Sequence, residues 1–238
     1  KVKALIKQMT SANPLWGAPR IHGELQKLGI EISERTVSRL MPEQRKPTSQ
    51  TWRTFLDNHL KELVSIDFFT VPTATFRVLF VLVVLAHDRR RVMHFNVTEH
   101  PTAAWTVQQI IEAFPDETAP RFLLRDRDQI FGEEFRRRIA GMKIEEVITA
   151  ARSPWQNPYA ERVIGSIRRE CLDHVIVLSE KHLRRIMKRY FRFYSNSRPH
   201  QSLDQNSPIP RIVESGRKGP IVSIPEVGGL HHRYQRAA

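Results

Sequence analysis

The chain has a single cysteine among its 238 residues. Cys171 therefore cannot close an intrachain disulfide, and a cysteine-rich zinc site has no ligands to draw on. That excludes a stapled extracellular scaffold and points to a reducing cytosol. Long apolar runs are missing too. The longest, Val78–Ala86, is nine residues, under half of the roughly 20 that a membrane-crossing helix needs, so it reads as a buried strand and no membrane partner is expected. No apolar signal region opens the chain, which begins at Lys1 rather than Met and so suggests a piece of a longer protein. Acidic residues are in deficit: 25 Asp and Glu stand against 38 Lys and Arg, a formal net charge of +13. That balance suits a polyanionic partner, but ribosomal and membrane-surface proteins share it, so the placement of the charges has to decide.

What is present is an ordinary globular composition, 40% hydrophobic and 26% charged, long enough for one sizeable core and a smaller second domain. There is no internal repeat and no low-complexity tract. Near the start, Pro19 suits a first helical turn, Ile21, Leu25 and Leu28 recur at helical spacing, and Gly29 is placed to end that helix. Ser33 can cap a second helix through Met41, turning Val37, Leu40 and Met41 inward and leaving Arg35, Thr36, Ser38 and Arg39 free outward. Such a pair resembles a helix-turn-helix, whose second helix enters the major groove, and makes Arg35 and Arg39 candidates for DNA contact; a packing subdomain is the alternative. The stretch from Pro42 to Gln50 lacks apolar periodicity and reads as a linker, so residues 1–48 form the first region.

Beyond it the pattern changes to strands at Val64–Val71, Phe76–Ala86 and Arg91–Val97. A helix from about Thr102 to Phe114, an apolar Phe122–Leu124, a helix around Glu133–Ile139 and a short strand ending at Val147-Ile148 follow. Helices then run from Glu161 to about His174, with Pro158 suited to the first turn, and from Ser179 to Tyr194. This order predicts an α/β mixed sheet of five strands flanked by helices, with a core over 55–205 and a tail over 206–238.

Asp67 is the oddity, because it interrupts a strand otherwise destined for a largely buried sheet. A bare carboxylate there is costly unless paired, exposed at an edge or bound to a cation. Asp126 lies just past Phe122-Leu123-Leu124, where a strand would end, and Glu161 sits on the helix after Ser153-Pro154-Trp155-Gln156-Asn157-Pro158. Three carboxylates from two strands and a helix can converge. Hard oxygen ligands of this kind bind Mg²⁺, and two such ions roughly 4 Å apart polarise the attacking and leaving oxygens of an in-line phosphoryl displacement. Unpaired carboxylates would repel one another and a phosphate, so the cluster predicts metal dependence.

These acids, with Ser153–Glu161 ahead of the last one, resemble the catalytic core of integrase-like DDE transposases of bacterial insertion sequences. That family is similar to retroviral integrases and shares a ribonuclease H-like fold. Tyr194-Ser195-Asn196-Ser197-Arg198-Pro199-His200 resembles the family's Tyr-Asn-x-x-Arg-Pro-His signature, and the leading helix pair resembles its DNA-binding region. The resemblance implies Mg²⁺-dependent cleavage of double-stranded DNA at an element's ends and attack of the freed 3′-hydroxyl on target DNA. It further implies two ions, with Mn²⁺ able to substitute, a homo-oligomer on the DNA, and a bacterial cytoplasmic protein associated with the nucleoid when bound. Asp67 would bridge the ions, and Asp126 and Glu161 would each hold one. Two departures stand out. Arg125-Asp126-Arg127-Asp128 replaces an Asp-Asn-Gly turn, so Asp128 competes with the preferred Asp126, and Asn157-Pro158 stands where Asn-Gly is common.

Glu170 is the rival to Glu161, but nine residues along a helix place it on the opposite face, as a solvated or ion-paired acid. Gly165 and Arg168 return to the face of Glu161, and Arg168 either meets a phosphate or forms a salt bridge with Glu170 or Asp173. From Ser179, Leu183, Ile186, Met187, Tyr190 and Phe193 or Tyr194 form an apolar stripe opposite Arg184, Arg185, Lys188, Arg189 and Arg192. Residues 161–200 carry ten Lys and Arg against four acids, in sequence beside the proposed metal site. Arg162, Arg184, Arg185, Lys188, Arg189 and Arg198 join Gln156 and Asn157 as candidate DNA contacts, and Trp155 is expected to anchor its loop to the core. Two other readings stay open: a catalytically silent DNA-binding remnant or regulator, and a nuclease that cuts without joining.

Overall fold

A computed structural model describes residues 2–13, 16–42, 51–115, 118–214, 216 and 219–237. The expected linker lies outside the described residues from position 43 to 50. The chain divides into two units, Lys1–Thr51 and Trp52–Ala238.

The first unit has three helices: α1 (Val2–Ala12), α2 (Ala18–Lys27) and α3 (Glu34–Leu40). The signals that delimit α2 and α3 act as the sequence indicates. Gly29 takes φ +72° just past α2, a left-handed position that suits a residue without Cβ. The Ser33 hydroxyl accepts the Thr36 N–H at 3.3 Å. The first helix was not anticipated. Its Ile6 joins Ile21, Leu25 and Val37 in a fully buried core, because two short amphipathic helices need a third wall to bury their apolar faces.

The second unit opens with α4 (Trp52–His59), also unanticipated, whose Leu56 packs with Leu63, Phe122 and Leu124. The strands β1 (Leu63–Pro72), β2 (Val78–Ala86), β3 (Arg91–Thr98), β4 (Phe122–Arg125) and β5 (Glu145–Ile148) form one sheet in the order β3-β2-β1-β4-β5. The first three form an antiparallel meander, whereas β4 is parallel to β1 and β5 to β4. Parallel neighbours require crossovers, which α5 (Ala103–Ala113) and α6 (Glu133–Gly141) provide. The sheet is therefore mixed, five-stranded and flanked by helices.

The unbroken apolar run of β2 is explained by burial on both faces. Leu79, Val81, Val83 and Leu85 pack toward α7 (Pro158–Glu170) and α8 (Glu180–Asn196), alongside Val163, Ile167, Leu183 and Met187. Leu82 and Val84 point the other way, onto Val107, Ile110, Phe135 and Ile139 of α5 and α6. The same alternation runs along β1, where Phe69 and Val71 share the α7 layer while Val64 and Ile66 share the other. Asp67 has the parity of Phe69.

The segment expected as a tail belongs to the second unit. Strands β6 (Ile221–Glu226) and β7 (His231–Arg236) form an antiparallel hairpin. Val227 in its turn enters the α8 core, and the His231 ring stacks on Phe193 at 4.4 Å and 4°. Two glycines at φ +71° and +95°, Gly228 and Gly229, complete that turn. Among the described residues, no helix is long and apolar enough to cross a membrane.

Candidate active site

Parallel register brings the two aspartates together. Ser65 lies beside Leu124 on β1 and β4, so two residues further along each chain Asp67, midway along β1, comes level with Asp126, just past the end of β4. Glu161 enters from the first turn of α7, its N–H bonded to Asn157 O at 3.2 Å. Asp67, Asp126, Asp128, Asn157 and Glu161 all line one cavity of about 380 Å³.

The electrostatics are those of crowded acids. The Asp67 carboxyl is pushed up to about 7, first by burial and next by the charge of Asp126, with Glu161 adding a smaller push. The Phe68 N–H, which donates to Asp67 Oδ1 at 2.8 Å, opposes the rise. Asp126 and Asp128 each close their own loop, accepting the N–H groups of Asp128 and Ile130 at 3.1 and 3.0 Å. Among the described residues, no three His, Cys, Asp or Glu side chains are gathered tightly enough to grip one ion as they stand. The acids share a cavity without forming a closed ligand shell.

Asn157 was singled out in the sequence for DNA contact, and its surroundings are unusual. It is the N-cap residue of α7 but makes no side-chain cap. It is 7% exposed, and its Oδ1 is buried without a partner while the residue lines the cavity. Pro158 supplies the first turn, where a missing N–H costs nothing. Gln156 orders the loop, its Oε1 accepting the Ala150 N–H at 2.6 Å. Trp155, in the short helical turn Pro154–Gln156 ahead of α7, corrects the sequence reading: it is 62% exposed rather than anchored to the core.

The basic residues separate into bound and free. Arg184 donates to Glu180 at 2.8 Å and also to Asn96 Oδ1 and Val97 O, fastening α8 to β3. Arg198 is paired with Glu170 at 2.6 Å, so Glu170 is ion-paired as expected, with a partner drawn from the signature segment. Arg168 pairs with neither Glu170 nor Asp173; its guanidinium lies 5.6 Å from the Phe69 ring centre. Arg185, Lys188 and Arg189 do form an exposed face of α8, but they line a cavity with Val92–Phe95 of β3. The expected proximity of this face to the acids is therefore corrected: β3 is the edge strand, separated from β1 by β2. Arg35 and Arg39 are exposed on α3 and Arg162 on α7.

Two arginines escaped sequence reading. Arg125 is 1% exposed, paired with Glu146 at 2.6 Å and donating to Asp126 O at 2.8 Å. A buried arginine beside an expected site residue was the available signal. Arg169 folds back over Gly165, where an added Cβ would meet Nη1 at 3.1 Å.

Comparison with known proteins accords with this architecture. Residues 142–208 match the family model of the integrase core domain, and residues 1–45 that of an HTH-like domain. A chain of the simian T-cell lymphotropic virus intasome in complex with PP2A regulatory subunit B56 gamma superposes over 98% of this chain and 87% of its own, at 11% identity and a TM-score of 0.52. The catalytic domain of Mos1 mariner transposase covers 59% of this chain and 77% of its own, at 17% identity and a TM-score of 0.51. The same Mos1 domain with raltegravir and Mg covers 59% and 78%, at 17% identity and a TM-score of 0.50. No curated protein matches the chain. The second unit thus has the ribonuclease H-like fold of integrase and transposase catalytic domains. Each family model matches less than half of the chain, the integrase core model over residues 142–208 and the HTH-like model over residues 1–45.

Proposed function

We propose that this protein is a transposase that cleaves DNA strands and transfers the freed 3′-hydroxyl to a target strand, acting as a homo-oligomer on double-stranded DNA in the cytoplasm of a bacterial cell. The observation that carries the reading is the meeting of Asp67, Asp126 and Glu161 from two strands and a helix in one cavity. The raised Asp67 carboxyl marks a concentration of negative charge that a divalent cation would relieve. The donor set fits Mg²⁺ or Mn²⁺, being all carboxylate oxygen. Asp67 would be shared between two ions, with Asp126 and Glu161 each holding one; that scheme asks for two pairs of acids rather than a single three-ligand shell. The ions, when bound, supply Lewis-acid activation of the attacking oxygen and stabilisation of the leaving one. Asp126 is preferred to Asp128 because Asp126 and Glu161, and not Asp128, are the acids that perturb Asp67.

The chain's own residues position the DNA. Asn157 offers an unpaired amide oxygen beside the acids, and Gln156 holds the loop that carries it. Arg35 and Arg39 would meet DNA from α3, and Arg162, Arg168, Arg185, Lys188 and Arg189 would meet backbone phosphates. Arg184 and Arg198 would contribute through the helices they brace.

Labelled duplexes from the DNA flanking the reading frame, incubated with the full chain, test this. Nicking and joined products are expected in Mg²⁺ or Mn²⁺ and none with a chelator. Asp67→Asn, Asp126→Asn and Glu161→Gln should each reduce products to background while circular dichroism and DNA binding persist. Joining by all three variants at the wild-type rate would reject the reading, hydrolysis without joining would identify a nuclease, and binding without chemistry a silent DNA-binding protein.

A further inference from the structure

On the other side of α7 from the acids lies a second, larger cleft of about 760 Å³. Asn157 and Glu161 face the catalytic cavity, whereas Tyr159, Arg162, Ser166 and Arg169 face this cleft, in keeping with a helical repeat of 3.6 residues. Arg90 and Arg198 close it from the β2–β3 turn and from the segment after α8, and among the described residues no acidic side chain lines it.

Its cations are held ready. Arg89 donates to Pro208 O and Ser207 O at 2.9 and 3.0 Å, pinning the turn that carries Arg90. Arg90 donates to Ser202 Oγ and lies 4.7 Å from the Tyr159 ring centre. Glu170 neutralises Arg198, but among the described residues neither Arg162 nor Arg169 has a hydrogen-bond or ion-pair partner for its guanidinium. Arg90, Arg162 and Arg169 thus bring three uncompensated charges to one groove. Burial lowers the His200 pKa first, and Arg198 and Arg90 lower it further, against a bond to Tyr194 O and the charge of Glu170.

We propose that this cleft binds consecutive backbone phosphates of a DNA strand that crosses α7 on its way to or from the catalytic cavity. Arginine matches phosphate oxygens with two parallel N–H donors, and three uncompensated guanidinium groups exceed what a single small anion would neutralise. A helix is about 10–12 Å across, and one strand of a duplex carries a phosphate every ~3.4 Å of axis. The engaged phosphates therefore lie a few nucleotides from the reacting bond. Identifying DNA as the ligand rests on the function proposed above; the cleft's affinity for phosphates does not depend on catalysis.

The test is a binding measurement without divalent cation, so that no chemistry intervenes. Anisotropy of a labelled duplex of arbitrary sequence is recorded against sodium chloride for the full chain and for Arg162→Gln, Arg169→Gln and the double variant. Removing one arginine from a phosphate should flatten the slope of log K against log salt by about 0.9, so the double variant should flatten it by about 1.8, and Arg162→Lys should restore its share. Unchanged slope and affinity in the folded double variant would overturn the proposal. So would displacement of the duplex by inorganic phosphate at matched ionic strength, which would identify a small-anion pocket. Normal flattening in a protein that cuts no DNA would sink the transposase reading and leave the cleft standing.

Discussion

Arg198 grips Glu170 with two parallel bonds, Nη2 to Oε1 at 2.6 Å and Nε to Oε2 at 2.8 Å, tying the segment after α8 to the end of α7. The Tyr190 hydroxyl donates to the same Oε2 at 2.9 Å. Burial alone would raise the Glu170 pKa; the Arg198 hydrogen bond and charge, with the Tyr190 hydroxyl, outweigh it and hold the carboxyl below its usual range. The arginine of the signature that suggested DNA contact is thus a brace for the helix that presents Glu161.

Removing that brace should cost stability. Both side chains are 25% exposed, so screening reduces the pair below a fully buried one, and Arg198→Met should cost about 2 kcal/mol. Glu170→Gln should cost a similar amount. Urea unfolding of both single variants and the double variant checks the coupling; additive losses would mean the two residues act independently.

Arg125 gives a sharper expectation because it is 1% exposed. Glu146→Gln leaves its cation buried without a charge partner and should destabilise by about 3–5 kcal/mol. Replacing both residues by Met should recover most of that loss, since a dry apolar pair needs no compensation. The double variant also releases Asp126 O, which Arg125 holds at 2.8 Å. DNA cleavage should therefore stay low even where urea unfolding shows stability restored. Full recovery of both would reduce Arg125 to a packing residue.

His87 should make the fold acid-sensitive. It is 2% exposed, and neither ring nitrogen has a hydrogen-bond partner among the described residues. Burial first, and Arg90 second, lower its pKa from 6.5 to about 4. The unfolded chain takes up the proton at the higher value and the native one only at the lower, so this contribution is complete above about pH 6.5 and disappears as pH falls toward 4. The loss between about pH 7 and pH 5 should be about 2 kcal/mol. His87→Phe should flatten this part of the pH profile of urea unfolding; an unaltered profile would place the acid sensitivity elsewhere.

Much of the molecule was legible along the chain because local chemistry is strong there. Gly29 and Ser33 bound their helices, the apolar run of β2 announced two-sided burial, and Asp67 stood out against its strand. What stayed hidden depended on partners distant in sequence. The α1 helix is explained by the core that Ile6 completes, and the C-terminal hairpin by the packing of Val227 and His231 on α8. Trp155 reads as a core anchor, yet its side chain lies largely in solvent.

The amino-acid order by itself determined the five strands of the sheet, most of the helices around them and three acids that stand out against their elements, since helix and strand periodicities and capping are short-range effects. Which arginines are free was decided only by tertiary structure. Arg184, Arg198 and Arg162 share a side chain and a basic neighbourhood in sequence, yet two are taken up by protein acceptors and one faces a cleft. A guanidinium's availability depends on which oxygens folding brings within hydrogen-bond reach, and for Arg184 one of those oxygens lies 88 residues away.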